Sequence, residues 1–240
     1  MLLPFIAILI FSLIILRWKF FRLPGLSPVF ILFVFFLKIG AGFISFNYHN
    51  TYFAGGDGAI YLNGGRDLLT LSGNDPETYI RLLANQNRGQ DDWEKAYKKI
   101  IFWDSKSETN IIQDNRNAIR INSLISLMSF KSTGVHIIIL IFISLIGLMA
   151  LYKTFSRWFK TIYPPAVFLA TFLIPSIVFW TSGILKETHT LFFFGLFLLQ
   201  LSSFLYKPKT KSLLFTLLLG IAVFLVRSYL AIVLIVPVLF

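Results

Sequence analysis

The sequence predicts an all-α membrane protein, a polytopic bundle of transmembrane helices carrying a mostly helical external loop. Three observations lead there. Long apolar runs recur along the chain, a single polar stretch from 46 to 118 divides them, and basic residues stand as punctuation between the runs. Of the 240 residues, 56% are hydrophobic, 27 are Phe and only 14% are charged, whereas soluble domains are about half apolar and about a quarter charged. The mean hydropathy of +0.75 points the same way. The formal charge of +11 is spread over short clusters and forms no face or patch, which excludes nucleic acid as a partner and marks membrane lipids instead. Without cysteine there is no disulfide or thiolate chemistry. His49, His136 and His189 are too scattered in sequence to suggest a zinc cluster.

Residues 1 to 17 form the first expected span. They lack the basic leader and small-residue cleavage site of a signal peptide, so the segment is expected to stay in the membrane. Arg17, Lys19 and Arg22 follow, then a Leu-Pro-Gly turn at 23 to 25 and a second span over roughly 27 to 46. After the polar stretch, Ile119 to Phe130 is weakly amphipathic, with Ile119, Leu124, Leu127 and Met128 able to share a face; it lies in the interface or begins the next span. Further spans are expected at about 135 to 152, 165 to 180, 191 to 205 and 213 to 226. A last apolar run to Phe240 is too short to cross, so the expectation is an N-terminal portion of a longer protein. The resulting division is 1–45 for the first two spans, 46–134 for the loop and its interfacial helix, and 135–240 for the remaining bundle.

Charge sets the orientation. The clusters at 17–22, 153–160 and 207–211 are separated by even numbers of spans, and the positive-inside rule assigns all three to the cytoplasm. The chain is then expected to be a multi-pass protein of the inner or plasma membrane with its large loop extracytoplasmic. Ten of the eleven acidic residues lie in 46–118 beside eight Lys and Arg, a net charge of −2. The loop, the polar island TSGILKETHT at 181–190 and Arg227 are thereby expected to meet at one mouth of the bundle, a reasonable place for a site.

The island holds the eleventh acid, Glu187, beside Lys186. Charges so close to hydrocarbon must be paired or turned to a wet cavity. Lys186 suits either a snorkelling anchor or a contact to the phosphate of a lipid-linked substrate; Glu187 suits a cap on the next helix, a catalytic carboxylate, or a group orienting the lysine or a metal. In AGGDGAIYLNGGRDL, Gly55, Gly56 and Gly58 allow close backbone approach, and Asp57 is placed to accept a proton from an incoming hydroxyl, to hold a divalent cation, or simply to cap a short helix through Tyr61. Arg66 and Asp67 lie on that helix as a phosphate contact or a solvated pair. Lys38 stands about 16 Å into the second span at ~1.5 Å per residue. It needs a bundle-facing partner or an outward route to a phosphate. Farther along the loop, Asp75-Pro76-Glu77 opens a short helix through Ala84, and a second is expected over Asp91 to Trp103. Asp91 and Asp92 point apart on it.

Two pieces, GGDGAIYLNGGRDL around Asp57 and PSIVFWTSGILKE from Pro175 to Glu187, resemble the C-type membrane glycosyltransferases, bacterial relatives of the protein O-mannosyltransferases that use polyprenyl-phosphate-linked sugars. Arg227-Ser228-Tyr229 is a weaker third likeness. The resemblance implies transfer of a sugar from a polyprenyl-phosphate donor to a glycan, lipid or protein acceptor on the extracytoplasmic face. It implies an acidic residue of the first external loop, here Asp57, as base or metal ligand, and Lys186 and Arg227 at the lipid phosphate. Where many relatives have paired acids this chain has Asp57 followed by Gly58, which leaves the cofactor as none or a divalent cation. The alternatives are a polysaccharide polymerase or ligase, and a transporter or flippase component, which would need polar residues through the midplane.

Overall fold

A computed structural model describes residues 2–22, 27–86, 100, 114–159, 163–230 and 232–233. Among them the regular structure is helical, with no strand: α1 Leu2–Arg17, a 3₁₀ turn Lys19–Phe21, α2 Pro28–Tyr52, α3 Gly56–Asn74, α4 Pro76–Leu83, α5 Asp114–Met128, α6 Thr133–Trp158, α7 Pro164–Phe172, α8 Pro175–Trp180, α9 Lys186–Tyr206 and α10 Thr210–Val226. Three helices, α2, α6 and α9, are long and apolar enough to cross a membrane, as a helical membrane protein requires. The apolar α1 and α10 are shorter. The Leu-Pro-Gly turn, Lys160, the helix expected over 91–103 with Asp91 and Asp92 (apart from Ile100), and the end of the last apolar run lie outside the described residues.

The hub is α6. Its apolar residues run round the whole circumference from Val135 to Leu151, and most are buried, the pattern of a helix enclosed on all sides. It packs against α9, α2, α1 and α7. Phe11 stacks on Phe142 at 4.4 Å between ring centres, and Lys153 lies over the Phe20 ring at 3.9 Å, so α1 runs parallel to α6. Arg157 bonds Ser203 and Gly147 meets Leu191, so α9 is parallel to it as well. A Cβ on Gly147 would collide with the Leu191 backbone, and one on Gly195 with the Gly147 backbone. Glycine at both positions lets the two backbones touch, the usual device where lipid supplies no hydrophobic drive between helices.

The segment expected to be one span over 165–180 is two helices. Pro175 has no N–H to continue α7 and pushes Ile174 into an extended conformation, so α8 starts afresh with proline in its first turn. α2 runs past the expected boundary at 45 to Tyr52. The 119–130 face is also revised. Ile119 is buried toward α3, while Leu124, Leu127 and Met128 point outward, 47 to 64% exposed. Left-handed residues Phe130 and Lys131 then end α5 before α6 begins, so this helix does not open the next span. Within the loop, α4 forms as expected: Asp75 caps it, accepting from the Thr78 backbone at 3.1 Å and the Thr78 hydroxyl at 2.7 Å.

These helix directions sort the polar residues. Arg17 and Lys19, Lys153 and Arg157, and Lys207 to Lys211 come to one end of the bundle; α3 to α5, the 181–185 coil and Arg227 come to the other.

Candidate functional site

The second end contains most of the residues singled out from the sequence. Gly55, left-handed at φ +88°, turns the chain from α2 into α3, and Gly56 and Asp57 form the first turn of α3. The cap position is therefore Gly55, and Asp57 lies inside the helix. Its side chain is exposed and engages no hydrogen bond or ion pair with a described residue. The N-terminal N–H groups beneath it favour negative charge there.

Gly58 faces the island: an added Cβ would lie 3.4 Å from the Ile184 carbonyl. Two further glycines complete this seam. A Cβ at Gly42 would stand 2.5 Å from the Ser182 carbonyl oxygen, and Gly183 lies against the Ser45 hydroxyl. The α3 N-terminus, the outer part of α2 and the 181–185 coil are thus closely apposed. One turn beyond Asp57, Tyr61 is buried and donates to Asn115 Oδ1 at 3.0 Å. The Lys186 ammonium lies 5.7 Å from the centre of the Tyr61 ring, within cation–π reach. Asp57 and Tyr61, four apart on α3, share a face. The chain therefore places an exposed carboxylate one helical turn before a tyrosine whose ring faces a largely buried lysine.

Glu187 lies in the first turn of α9 and forms an ion pair with Arg227, the residue that ends α10. Both charges suit the helix ends that carry them. The side chains are 40% and 21% exposed. Arg227 also lies 5.7 Å from the Tyr229 ring centre. The cap on α9 is Leu185, so Glu187 is a partner to Arg227 rather than a cap.

Two candidates fall outside this group. Arg66 donates to the Lys131 carbonyl and the Thr133 hydroxyl, both at 2.7 Å, and ties α3 to the turn before α6. Partial burial pushes its guanidinium down from its ordinary pKa, and those two oxygens compensate. Lys38 is fully enclosed and donates to Thr181, the bundle-facing partner its depth demanded.

The sequence reading missed the polar network beneath the site. Asn122 is buried on α5; its Oδ1 accepts from His136 Nε2 at 2.8 Å and its amide donates to His189 Nε2 at 3.3 Å. Gly65 admits this contact, since a Cβ there would meet the Asn122 backbone at 2.8 Å. The histidines that looked scattered converge on one amide. The Asn-rich string from Asn115 to Asn122 on a helix with an apolar face was the available signal. Among the described residues no group of three or more His, Cys, Asp or Glu is placed to hold a metal ion. Of the described residues at this end, Asp57 offers a single carboxylate where a divalent cation wants about six oxygen ligands, so these residues by themselves do not form a metal site. Comparison with protein-family models, curated proteins and solved structures finds no match.

Proposed function

We propose that the protein is a multi-pass membrane glycosyltransferase that moves a sugar from a polyprenyl-phosphate donor to an acceptor hydroxyl at the extracytoplasmic face. The observation that supports this reading is the Asp57 carboxylate, exposed and without a described partner, one turn from Tyr61, whose ring lies 5.7 Å from the Lys186 ammonium. In the proposed reaction the acceptor oxygen attacks the anomeric carbon and its proton passes to Asp57. The bond from that carbon to the phosphate oxygen breaks, and the electron pair leaves with polyprenyl phosphate, whose charge Lys186 stabilises. Arg227, held by Glu187, borders the same end, and the pair positions the start of α9 that carries Lys186.

The test is sugar transfer from a polyprenyl-phosphate donor by the detergent-purified protein carrying Asp57→Asn, Asp67→Asn or Glu187→Gln. Asp57→Asn keeps the shape and removes the proton acceptor, and should lower turnover roughly 10²- to 10⁴-fold with the protein still folded. Near-normal transfer by Asp57→Asn would sink the mechanism.

A further inference from the structure

The opposite end of the bundle carries a feature that catalysis leaves unused. A cleft of about 350 Å³ opens there, lined by Arg157, Ser203, Tyr206 and Lys207. Arg157 lies in the last turn of α6 and Ser203 and Tyr206 in the last turns of α9, two of the helices long enough to cross a membrane. The cleft therefore sits where their apolar runs stop. Exposed Trp158 and Tyr206 flank it, as aromatic residues do at a membrane boundary.

Arg157 donates one guanidinium nitrogen to the Ser203 hydroxyl at 3.0 Å, which fixes the group at the rim of the cleft with its remaining donors available. Eight described cations gather at this end: Arg17, Lys19, Arg22, Lys153, Arg157, Lys207, Lys209 and Lys211. Among the described residues no ion pair sets an acid against them. The chain's only acidic residue outside 46–118 is Glu187, and that is paired with Arg227 at the far end. A concave, polar, positively charged cleft between helix ends at the membrane boundary matches an anionic headgroup.

We propose that this cleft binds the phosphate of an anionic phospholipid, with Arg157 and Lys207 as the charged contacts, Ser203 orienting the arginine, and the acyl chains running along the exposed apolar sides of α9 and α10. The site is separate from the Asp57 end and does not depend on the catalytic proposal.

The experiment uses the full chain purified in detergent and titrated with phosphatidylglycerol or phosphatidylcholine, with bound lipid read by native mass spectrometry. Phosphatidylglycerol should bind at least tenfold more tightly. Arg157→Gln with Lys207→Gln should weaken it about 5-fold for each cation removed. Lys19→Gln with Arg22→Gln, an equal loss of charge at the same end but outside the cleft, should change it less than twofold. Ser203→Phe keeps both cations and fills the cleft, and should weaken binding as much as the double substitution. Equal binding of the two lipids, equal losses from the two charge pairs, or unchanged binding by Ser203→Phe would each overturn the site. Displacement of the lipid by millimolar inorganic phosphate would assign the cleft to a free anion and overturn the lipid proposal.

Discussion

The ammonium of Lys38, enclosed at mid-length of α2, donates to the Thr181 hydroxyl at 2.6 Å and to the Thr181 carbonyl at 3.1 Å. Thr181 ends α8, where unpaired carbonyls leave partial negative charge, and its own hydroxyl donates to the Ile177 carbonyl at 2.6 Å. One cation thereby joins the broken α7–α8 segment to α2 and sets the position of the coil that leads to Lys186.

Loss of the acceptor should cost more than loss of the cation. Thr181→Val leaves a buried ammonium short of a charge-assisted hydrogen bond, about 1.5–3 kcal/mol. Lys38→Met removes the charge itself at similar volume, and such replacements are often close to neutral. Thermal unfolding in detergent should rank Thr181→Val below Lys38→Met; the reverse order would mean that the ammonium has a stronger partner than Thr181.

The Glu187–Arg227 pair joins two helix ends at partial exposure, so its worth is modest. A double-mutant cycle with Glu187→Gln and Arg227→Gln should give a coupling of about 1 kcal/mol or less, shrinking as salt is raised. Both single substitutions should reduce sugar transfer by similar, small factors. A Glu187→Gln protein that is inactive beside an active Arg227→Gln protein would move the proposed catalytic carboxylate from Asp57 to Glu187.

Close contact at Gly147 and its absence at Gly40 make a matched pair. Gly147→Ala places a methyl against the Leu191 backbone, which cannot swing aside, and should destabilise the bundle by roughly 1–3 kcal/mol. At Gly40 nothing lies within 4 Å of an added Cβ, so Gly40→Ala should be neutral or stabilising by about 0.5 kcal/mol. Equal unfolding temperatures for the two variants would contradict the tight α6–α9 crossing.

Orientation can be read from a chain that has no native cysteine. Gly73 is exposed near the end of α3 with open space around it, and Lys209 is exposed at the basic end. In intact cells an impermeant thiol reagent should label Gly73→Cys and spare Lys209→Cys. The opposite pattern would turn the protein over and remove the extracytoplasmic site.

Much of the framework was legible because its causes are local. Apolar runs of sufficient length announced α2, α6 and α9, Asp75-Pro76-Glu77 announced α4, and the placing of basic and acidic residues anticipated two chemically distinct ends. Pro175 is visible too, inside the span expected over 165 to 180, but whether a proline kinks a helix or divides it depends on whether neighbouring helices re-satisfy the freed backbone, and here it divides the segment. Lys38 was recognised as a buried charge that needed a partner, but no window of sequence identifies a partner 143 residues away.

The amino-acid sequence by itself determined the surroundings of this protein: a helical chain of membrane composition, with carboxylates gathered in one loop and cations between apolar runs. Hydropathy, proline and charge act within a turn or a span, so they can be read in order. Only the tertiary structure decided which polar groups meet. Helix packing left Asp57 exposed, brought Lys186 to the Tyr61 ring, gave Glu187 to Arg227, turned Arg66 to the Lys131 carbonyl and Thr133, and brought His136 and His189 to Asn122. Those pairings depend on where glycines such as Gly42, Gly65 and Gly147 let backbones touch, a property of two surfaces in contact rather than of either segment alone.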